Sequence, residues 1–117
     1  MQPFVGSSLT PEQLRTMCTA AYGRFAHKAV TPLVQLDQQH WVLELFHGPT
    51  LAFKDVALQL LGLLFEEFLG RRGENLTIVG ATSGDTGSAA IDAVAGREGV
   101  DIFMLHPRGR VSDVQRR

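Results

Sequence analysis

A lysine, Lys54, stands at the start of one of the most apolar segments of the sequence. Apolar side chains flank it at positions 51–53 and 56–57, and a Gly-Pro turn at 48–49 precedes it. The positive end of a helix disfavours an ammonium group, and desolvation disfavours it as well. Both effects favour the neutral amine, which is the form that Schiff-base chemistry requires. The surroundings of Lys54 therefore indicate a candidate covalent catalyst.

The same position also has simpler interpretations. The flexible stem of Lys54 could carry its charge out to solvent. Asp55, the next residue, could neutralise the ammonium as a partner, or it could simply favour the first helical turn. His47, which precedes the turn, is interpreted as a hydrogen-bonded structural residue rather than an acid–base group. From residue chemistry alone, these interpretations stay open beside the catalytic one.

A second candidate site is the segment 81–87, which follows a predicted strand and contains two glycines. In open α/β sheets, ligands bind outside the carboxyl ends of the strands. Glycines let backbone N–H groups approach a ligand, a helix N-terminus attracts an anion, and Ser83 and Thr86 add hydroxyl donors. The segment therefore predicts a cradle for a small carboxylate or phosphate. The alternative is an ordinary strand–helix connection, capped by Ser83, Asp85 or Thr86.

Known nucleotide and metal patterns do not fit these residues. The dinucleotide pattern G-x-G-x-x-G fails because three residues separate Gly80 from Gly84 where the pattern allows one. The P-loop pattern fails because no lysine follows Gly84 or Gly87. The histidines have no ligand-like spacing, so no metal site is predicted. They are His27, His40, His47 and His106.

Helices and strands that could position the two segments alternate along the chain. Thr10 and Gln13 form a capping box around Pro11, which predicts a helix over 11–27. The other predicted helices are 52–69 ending at Gly70, 88–95 ending at Gly96 after a loop at 84–87, and one starting at Ser112. The predicted strands are an extended segment at 31–36, then 41–46, 76–81 and 101–105, with 76–81 buried on both faces. This order predicts an α/β fold with a parallel sheet covered by helices.

The composition describes one modest domain. The chain has 117 residues, of which 44% are hydrophobic and 20% charged, so global disorder is not expected. A net charge of −1 gives no sign of a nucleic-acid or polybasic membrane partner. The single cysteine, Cys18, excludes an internal disulfide and suits a reducing compartment. Because residues 1–9 contain no secretory signal and no segment suits a bilayer, we expect a cytoplasmic protein.

Two motifs resemble those of the threonine synthases, a family of fold-type II pyridoxal-phosphate enzymes. The stretch HGPTLAFKD at 47–55 is similar to the segment that carries the cofactor lysine of that family, and ATSGDTG at 81–87 is similar to the loop that follows it. TPL at 31–33 and HPRGRVS at 106–112 match as well, so the resemblance covers about residues 31–117. The first motif is the specific one, since the glycine loop alone indicates only the wider fold-type II group.

The resemblance implies a reaction, a cofactor and residue roles. The reaction is the conversion of O-phosphohomoserine and water to L-threonine and phosphate. Lys54 would hold pyridoxal 5′-phosphate covalently and move protons at Cα and Cβ of the substrate. Asp85 would lie near the cofactor ring, where related enzymes often carry an asparagine. The substrate carboxylate would be received by loop residues, namely Thr82, Ser83, Gly84, Thr86 and Gly87.

The resemblance also implies the domain to which these residues belong. It is a fold-type II three-layer parallel sheet with helices on both faces, incomplete here because threonine synthases are several times longer. We expect an N-terminal piece in which residues 1–30 form a helical segment and 31–117 begin a pyridoxal-phosphate-dependent domain similar to tryptophan synthase β. We expect such a piece to bind the cofactor weakly and to turn over little substrate.

Two alternatives remain at the level of sequence. One is another fold-type II lyase, either a threonine or serine dehydratase or a β-replacing synthase, although the Gly-Pro-Thr stretch at 48–50 argues against it. The other is a non-catalytic binding module. Arg108 and Arg110 follow a predicted strand and are interpreted as solvated, with an anion contact as the alternative. The sequence leaves the oligomeric state open.

Overall fold

The computed structural model of the protein describes residues 1–82 and 84–110. The helices in this part of the chain are α1 (Gln2–Val5), α2 (Pro11–Tyr22), α3 (Asp55–Arg72) and α4 (Asp85–Val94). The strands are β1 (Leu33–Gln35), β2 (Trp41–Leu43), β3 (Leu76–Ala81) and β4 (Val100–Leu105). The helix start that the sequence predicts at Ser112 lies outside the described residues.

Helix α2 begins where the sequence predicts and ends earlier. Thr10 Oγ1 accepts a hydrogen bond from the Gln13 N–H at 3.2 Å, and Gln13 Oε1 accepts one from the Thr10 N–H at 2.9 Å. These two bonds confirm the capping box. The predicted end at 27 is wrong, because the Ala26 N–H bonds to the His47 carbonyl at 2.8 Å instead of continuing the helix.

Helix α3 starts and ends later than the sequence predicts. Gly70 lies inside the helix, so the predicted stop at this glycine is wrong. The stop is Gly73, which adopts the left-handed conformation with φ 65° and ψ 31°. Its N–H bonds to the Gly70 carbonyl at 3.4 Å, and the Glu74 N–H bonds to the Leu69 carbonyl at 3.1 Å. This pair of bonds is a Schellman motif, and it satisfies carbonyls at the helix end.

The main hydrophobic core lies between α2 and α3, and its buried members are Leu9, Leu14, Met17, Ala21 and Leu60. Helix α3 also contacts α4 on another side. The predicted placement of α3 between other elements is therefore confirmed, and it explains why apolar residues cover more than one face of this helix. Cys18 is half-buried and packs against the core.

Strands β3 and β4 form a parallel pair, and α4 connects them. The register runs from Leu76 opposite Val100 to Ala81 opposite Leu105. Strand β3 covers the predicted range, and β4 starts one residue before its predicted range. A parallel pair joined by a crossover helix is the unit of α/β folds, so the predicted fold class is confirmed.

Strand β2 lies in a different sheet from the one that the alternating pattern suggested. It pairs antiparallel with β1, with Leu33 opposite Leu43 and Gln35 opposite Trp41. Within the described residues, β1 and β2 form one sheet and β3 and β4 another. The short connection between β1 and β2 permits this, because antiparallel neighbours need only a tight turn whereas parallel neighbours need a long crossover.

One face of the β3–β4 sheet is open. Side chains along both strands alternate between partly buried and exposed, and Val79, Phe103 and Leu105 are 69%, 61% and 65% exposed. The prediction that β3 is buried on both faces is therefore wrong for the described part of the chain. None of the helices described here combines the length and apolar character needed to cross a membrane.

We predict that Gly62→Ala destabilises the protein by about 1–3 kcal/mol, the usual range for an overpacked contact. A Cβ at Gly62 would collide with the backbone carbonyl of Ala93, where α3 touches α4. Gly70→Ala, in the same helix, is the matched control, because a Cβ there has no neighbour within 4 Å.

The control variant gains helix propensity, so its stability should rise by about 0.5–1 kcal/mol. Urea unfolding followed by far-ultraviolet circular dichroism measures both changes. Equal midpoints for the two variants would contradict the close approach of α3 to α4.

Candidate functional site

Lys54 occupies the N-cap position of α3, directly before its first residue. Its backbone is helical, with φ −66° and ψ −22°, and its carbonyl accepts the Leu58 N–H at 2.9 Å. The side chain is partly exposed, and Nζ lies 4.2 Å from the centre of the Phe53 ring. Leu51 and Phe53 are 67% and 60% exposed, so the expected apolar enclosure of Lys54 is absent in the described part of the chain. Lys54 is therefore partly open to solvent.

The Asp55 carboxylate does not form an ion pair with Lys54. Its side chain is fully buried, and its two carboxylate oxygens accept the Thr50 N–H and the Thr50 hydroxyl, each at 2.8 Å. Within residues 1–82 and 84–110, neither Asp55 nor Lys54 takes part in an ion pair. The carboxylate therefore belongs to the turn that precedes Lys54.

That turn is tight and partly strained. The Leu51 N–H bonds to the Gly48 carbonyl at 3.1 Å, and Leu51 adopts a left-handed φ of 63°. Left-handed backbone is uncommon for a residue with a side chain, and it persists only where neighbouring contacts hold it. The Asp55 side chain packs so closely on Gly48 that a Cβ there would collide with it. The predicted turn is confirmed, and the structure shows why it needs a glycine.

His47 has a structural partner, as the sequence analysis predicts. Its Nε2 lies 2.7 Å from Glu44 Oε2, and both side chains are largely buried. The ring also lies 5.2 Å from the ring centre of His27. These contacts tie the segment before Lys54 to the chain that leaves α2.

The glycine-containing segment is more helical than predicted. Asp85 and Thr86 are exposed residues of the first turn of α4, and Gly87 is buried there, so the predicted loop over 84–87 is wrong. Thr82 Oγ1 accepts the Gly84 N–H at 3.3 Å, which makes the bend that starts the helix. Ser83 lies outside the described residues. The first turn of a helix leaves backbone N–H groups without helical acceptors, which suits an anion.

Helices α3 and α4 run in the same direction. Three contacts join α3 to α4 and to the residues just after α4, in increasing order along both segments: Gln59 with Asp92, Gly62 with Ala93, and Glu66 with Arg97. Lys54 is five residues before Gln59, and Asp85 is seven before Asp92. At 1.5 Å per residue, both starting points lie roughly 7–11 Å from that contact and on the same side of it. The structure thus brings Lys54 and the start of α4 to one end of the helix pair.

A polar cluster that sequence reasoning missed fixes this arrangement. Gln59 is buried, and its Nε2 donates to Asp92 Oδ2 at 2.7 Å. Arg24, beyond the end of α2, donates two hydrogen bonds to the Asp92 carboxylate at 3.0 and 3.1 Å. The available signal was Gln59 itself, a polar residue inside an otherwise apolar helical run. A buried amide needs partners, and these residues supply them.

Tyr22 connects α2 to the first turn of α3, next to Lys54. Its hydroxyl donates to the Val56 carbonyl at 3.0 Å, in the first turn of α3. Burial raises the pKa of the Tyr22 phenol, and the nearby Cys18 raises it further. The phenol therefore stays protonated at neutral pH and keeps its role as donor.

The two arginines after β4 follow Leu105, whose carbonyl accepts the Thr82 N–H at 3.0 Å. Arg108 and Arg110 are exposed, and the Arg110 N–H closes a turn with the Pro107 carbonyl at 3.3 Å. In the part of the chain that the structure describes, no group of histidine, cysteine and acidic residues could hold a metal ion. The site therefore consists of an accessible amine, a helix N-terminus and their supports.

We predict that Asp92→Ala destabilises the protein by about 1–3 kcal/mol, because the buried Gln59 amide loses its acceptor. Asp101→Ala is the control, because Asp101 is an exposed carboxylate for which the described residues supply no ion pair. Its stability should change by less than about 0.5 kcal/mol. Urea midpoints measure the difference, and an equal loss in both variants would show that the cluster contributes nothing specific.

Comparison with known proteins supports the resemblance. The chain is 58% identical to threonine synthase from Pseudomonas aeruginosa over 117 residues, which is 100% of this chain and 25% of that protein. It is 51% identical to threonine synthase from Schizosaccharomyces pombe, covering 93% of this chain and 23% of that protein. The chain thus spans about a quarter of the length of these curated relatives. No protein-family model matches it.

A solved structure gives the same result for the fold. The crystal structure of pyridoxal-phosphate-bound threonine synthase from Brucella melitensis superposes with a TM-score of 0.94 at 58% identity. The match covers 98% of this chain and 25% of that chain. The segments 47–55 and 81–87, on which the resemblance depends, lie within the described fold except for Ser83.

Proposed function

Because the chain belongs to the threonine synthase family, we propose that it supplies the cofactor lysine and the substrate loop of a threonine synthase. The whole protein would convert O-phosphohomoserine and water to L-threonine and phosphate with pyridoxal 5′-phosphate. The observation that carries the proposal is the placement of an accessible Lys54 at the same end of the helix pair as the start of α4.

The residues around Lys54 fit the cofactor. An aldehyde reacts with a free amine, and Lys54 is partly exposed without an ion-pair partner in the described chain. When bound, pyridoxal phosphate supplies an electron sink for charge that develops on the substrate carbon. Lys54 would hold the cofactor, and its amine, once the amino group of the substrate has replaced it, would move protons at Cα and Cβ of the substrate. Asp85, exposed in the first turn of α4, contacts the cofactor ring in this proposal.

The start of α4 receives the substrate carboxylate. Thr86 offers its hydroxyl from the first turn, and Ser83 belongs to the same segment. Thr82 and Gly84 act mainly through the shape of the bend, because the Gly84 N–H is bound to Thr82 Oγ1. Gly87 is buried against the Thr82 methyl, where a larger residue would collide. The positive helix end attracts the carboxylate without a lysine or arginine.

The proposed partners are limited to small molecules. The near-neutral net charge of the chain suits a small substrate and gives no sign of a nucleic-acid partner. We propose a reducing, cytoplasmic compartment because Cys18 is a free thiol.

We predict that borohydride treatment in the presence of pyridoxal phosphate attaches the cofactor to Lys54. The sequence has only one other lysine, Lys28, which is exposed and serves as an internal control. Peptide mass mapping should find the adduct mainly on Lys54, and Lys54→Ala should remove that adduct while Lys28→Ala leaves it intact.

A separate measurement addresses the substrate. In the whole protein, Lys54→Ala should abolish phosphate release from O-phosphohomoserine, whereas Lys28→Ala should retain it. Adducts of equal yield on both lysines, or phosphate release that survives Lys54→Ala, would contradict the proposed role.

A further inference from the structure

The carboxylate of Asp55 is fully buried, so the protein must replace the hydration that it loses. The side chain is 0% exposed, and burial of a charge is costly unless hydrogen bonds compensate for it. Here each oxygen accepts one bond from Thr50, at 2.8 Å from the backbone N–H and 2.8 Å from the hydroxyl. A bond from a donor to an ionised acceptor is about twice as strong as a neutral one. The hydrogen bonds that compensate for burial of the carboxylate thus both come from one residue of the turn, Thr50.

The same side chain also sets the shape of the turn. It packs against Gly48, where any Cβ would collide with the carboxylate group. The Asp55 N–H bonds to the Ala52 carbonyl at 3.0 Å, and Leu51 between these contacts keeps its left-handed φ of 63°. The segment from Gly48 to Asp55 is therefore closed at both ends, and Lys54 lies inside it.

We infer that Asp55 is a positioning residue for Lys54. By anchoring Thr50, its carboxylate fixes the turn that sets the direction in which the Lys54 side chain leaves the N-cap. Because Lys54 lies inside this turn, the turn fixes the direction in which its Cα–Cβ bond leaves the backbone, and Nζ then lies 4.2 Å from the centre of the Phe53 ring. The inference rests on the proposed function, in which the Lys54 amine binds the cofactor.

The location of the charge supports this role. Asp55 is the first residue of α3, where the positive end of the helix stabilises a carboxylate. An ion pair with Lys54 would neutralise both groups and draw the amine towards the protein. Because the carboxylate is turned towards Thr50 instead, the amine stays available at the surface.

The test compares adduct formation on the two lysines of the same chain. Each variant is treated with pyridoxal phosphate and borohydride, and mass mapping gives the ratio of the Lys54 adduct to the Lys28 adduct. Misplacement of a reacting group by about 1 Å can slow a reaction by as much as 10²-fold, so Asp55→Ala should lower the ratio by about tenfold. Hydrogen exchange at the Thr50 amide should become faster in the same variant.

Two further pairs of variants separate positioning from stability. Thr50→Val removes the hydroxyl and should lower the ratio, whereas Thr50→Ser keeps the hydroxyl and should restore it. Asp37→Asn is the control for a lost carboxylate, because Asp37 is exposed and likewise accepts backbone N–H groups, from Gln39 and His40. It should leave the ratio unchanged. If Asp55→Ala fails to fold, the Thr50 pair decides.

The outcomes distinguish the proposed function of Lys54 from the positioning role of Asp55. A whole wild-type protein that shows no preference for Lys54 over Lys28 contradicts the proposed function itself. A wild-type preference that persists in Asp55→Ala and in Thr50→Val contradicts the positioning role alone. Lower urea midpoints with an unchanged ratio in the folded chain would assign Asp55 to stability and overturn the inference.

Discussion

The packing of α3 against α4 in the same direction is the constraint on which the candidate site depends. Close approach at Gly62 and the hydrogen bond from the buried Gln59 to Asp92 set the separation of the two helices. Because α4 follows β3 directly, its start lies at the carboxyl end of that strand, where α/β folds bind ligands. Lys54 lies at this end only because α3 runs parallel to α4.

Hydrogen bonds, more than burial, hold the residues at that end. The Lys54 side chain is partly exposed, and its apolar neighbours Leu51 and Phe53 face solvent. Asp55 and the bend at Thr82 instead fix the two segments through bonds to the backbone. Such bonds each contribute little net stability, but they define geometry sharply because an unmade bond is costly. Short-range hydrogen bonds therefore set the shape of the site, and its surface is exposed to solvent.

The sequence predicted elements that depend on local signals. The capping box at Thr10 and the strand at 76–81 follow from neighbouring residues, and the structure confirms both. Local signals alone did not separate similar candidates: Gly70 and Gly73 both suit a helix stop, and only the Schellman bonds select Gly73. The start of α4 at Asp85 was missed because glycines suggested a loop. A linear pattern does not specify contacts between distant residues, such as the pairing of β2 with β1 or the hydrogen bond from Gln59 to Asp92. Nor does it specify side-chain rotamers, such as the one that directs the Asp55 carboxylate towards Thr50.

The shared direction of α3 and α4 can be measured by a short amine-to-thiol cross-link from Lys54 to a cysteine placed at either end of α4. In a Cys18→Ser background, one variant carries Thr86→Cys in the first turn of α4, and the other carries Glu98→Cys beyond its last turn. Lys54 should link to position 86 and not to position 98, because both helices start at the same end. Linkage to position 98 with none to position 86 would contradict this shared direction.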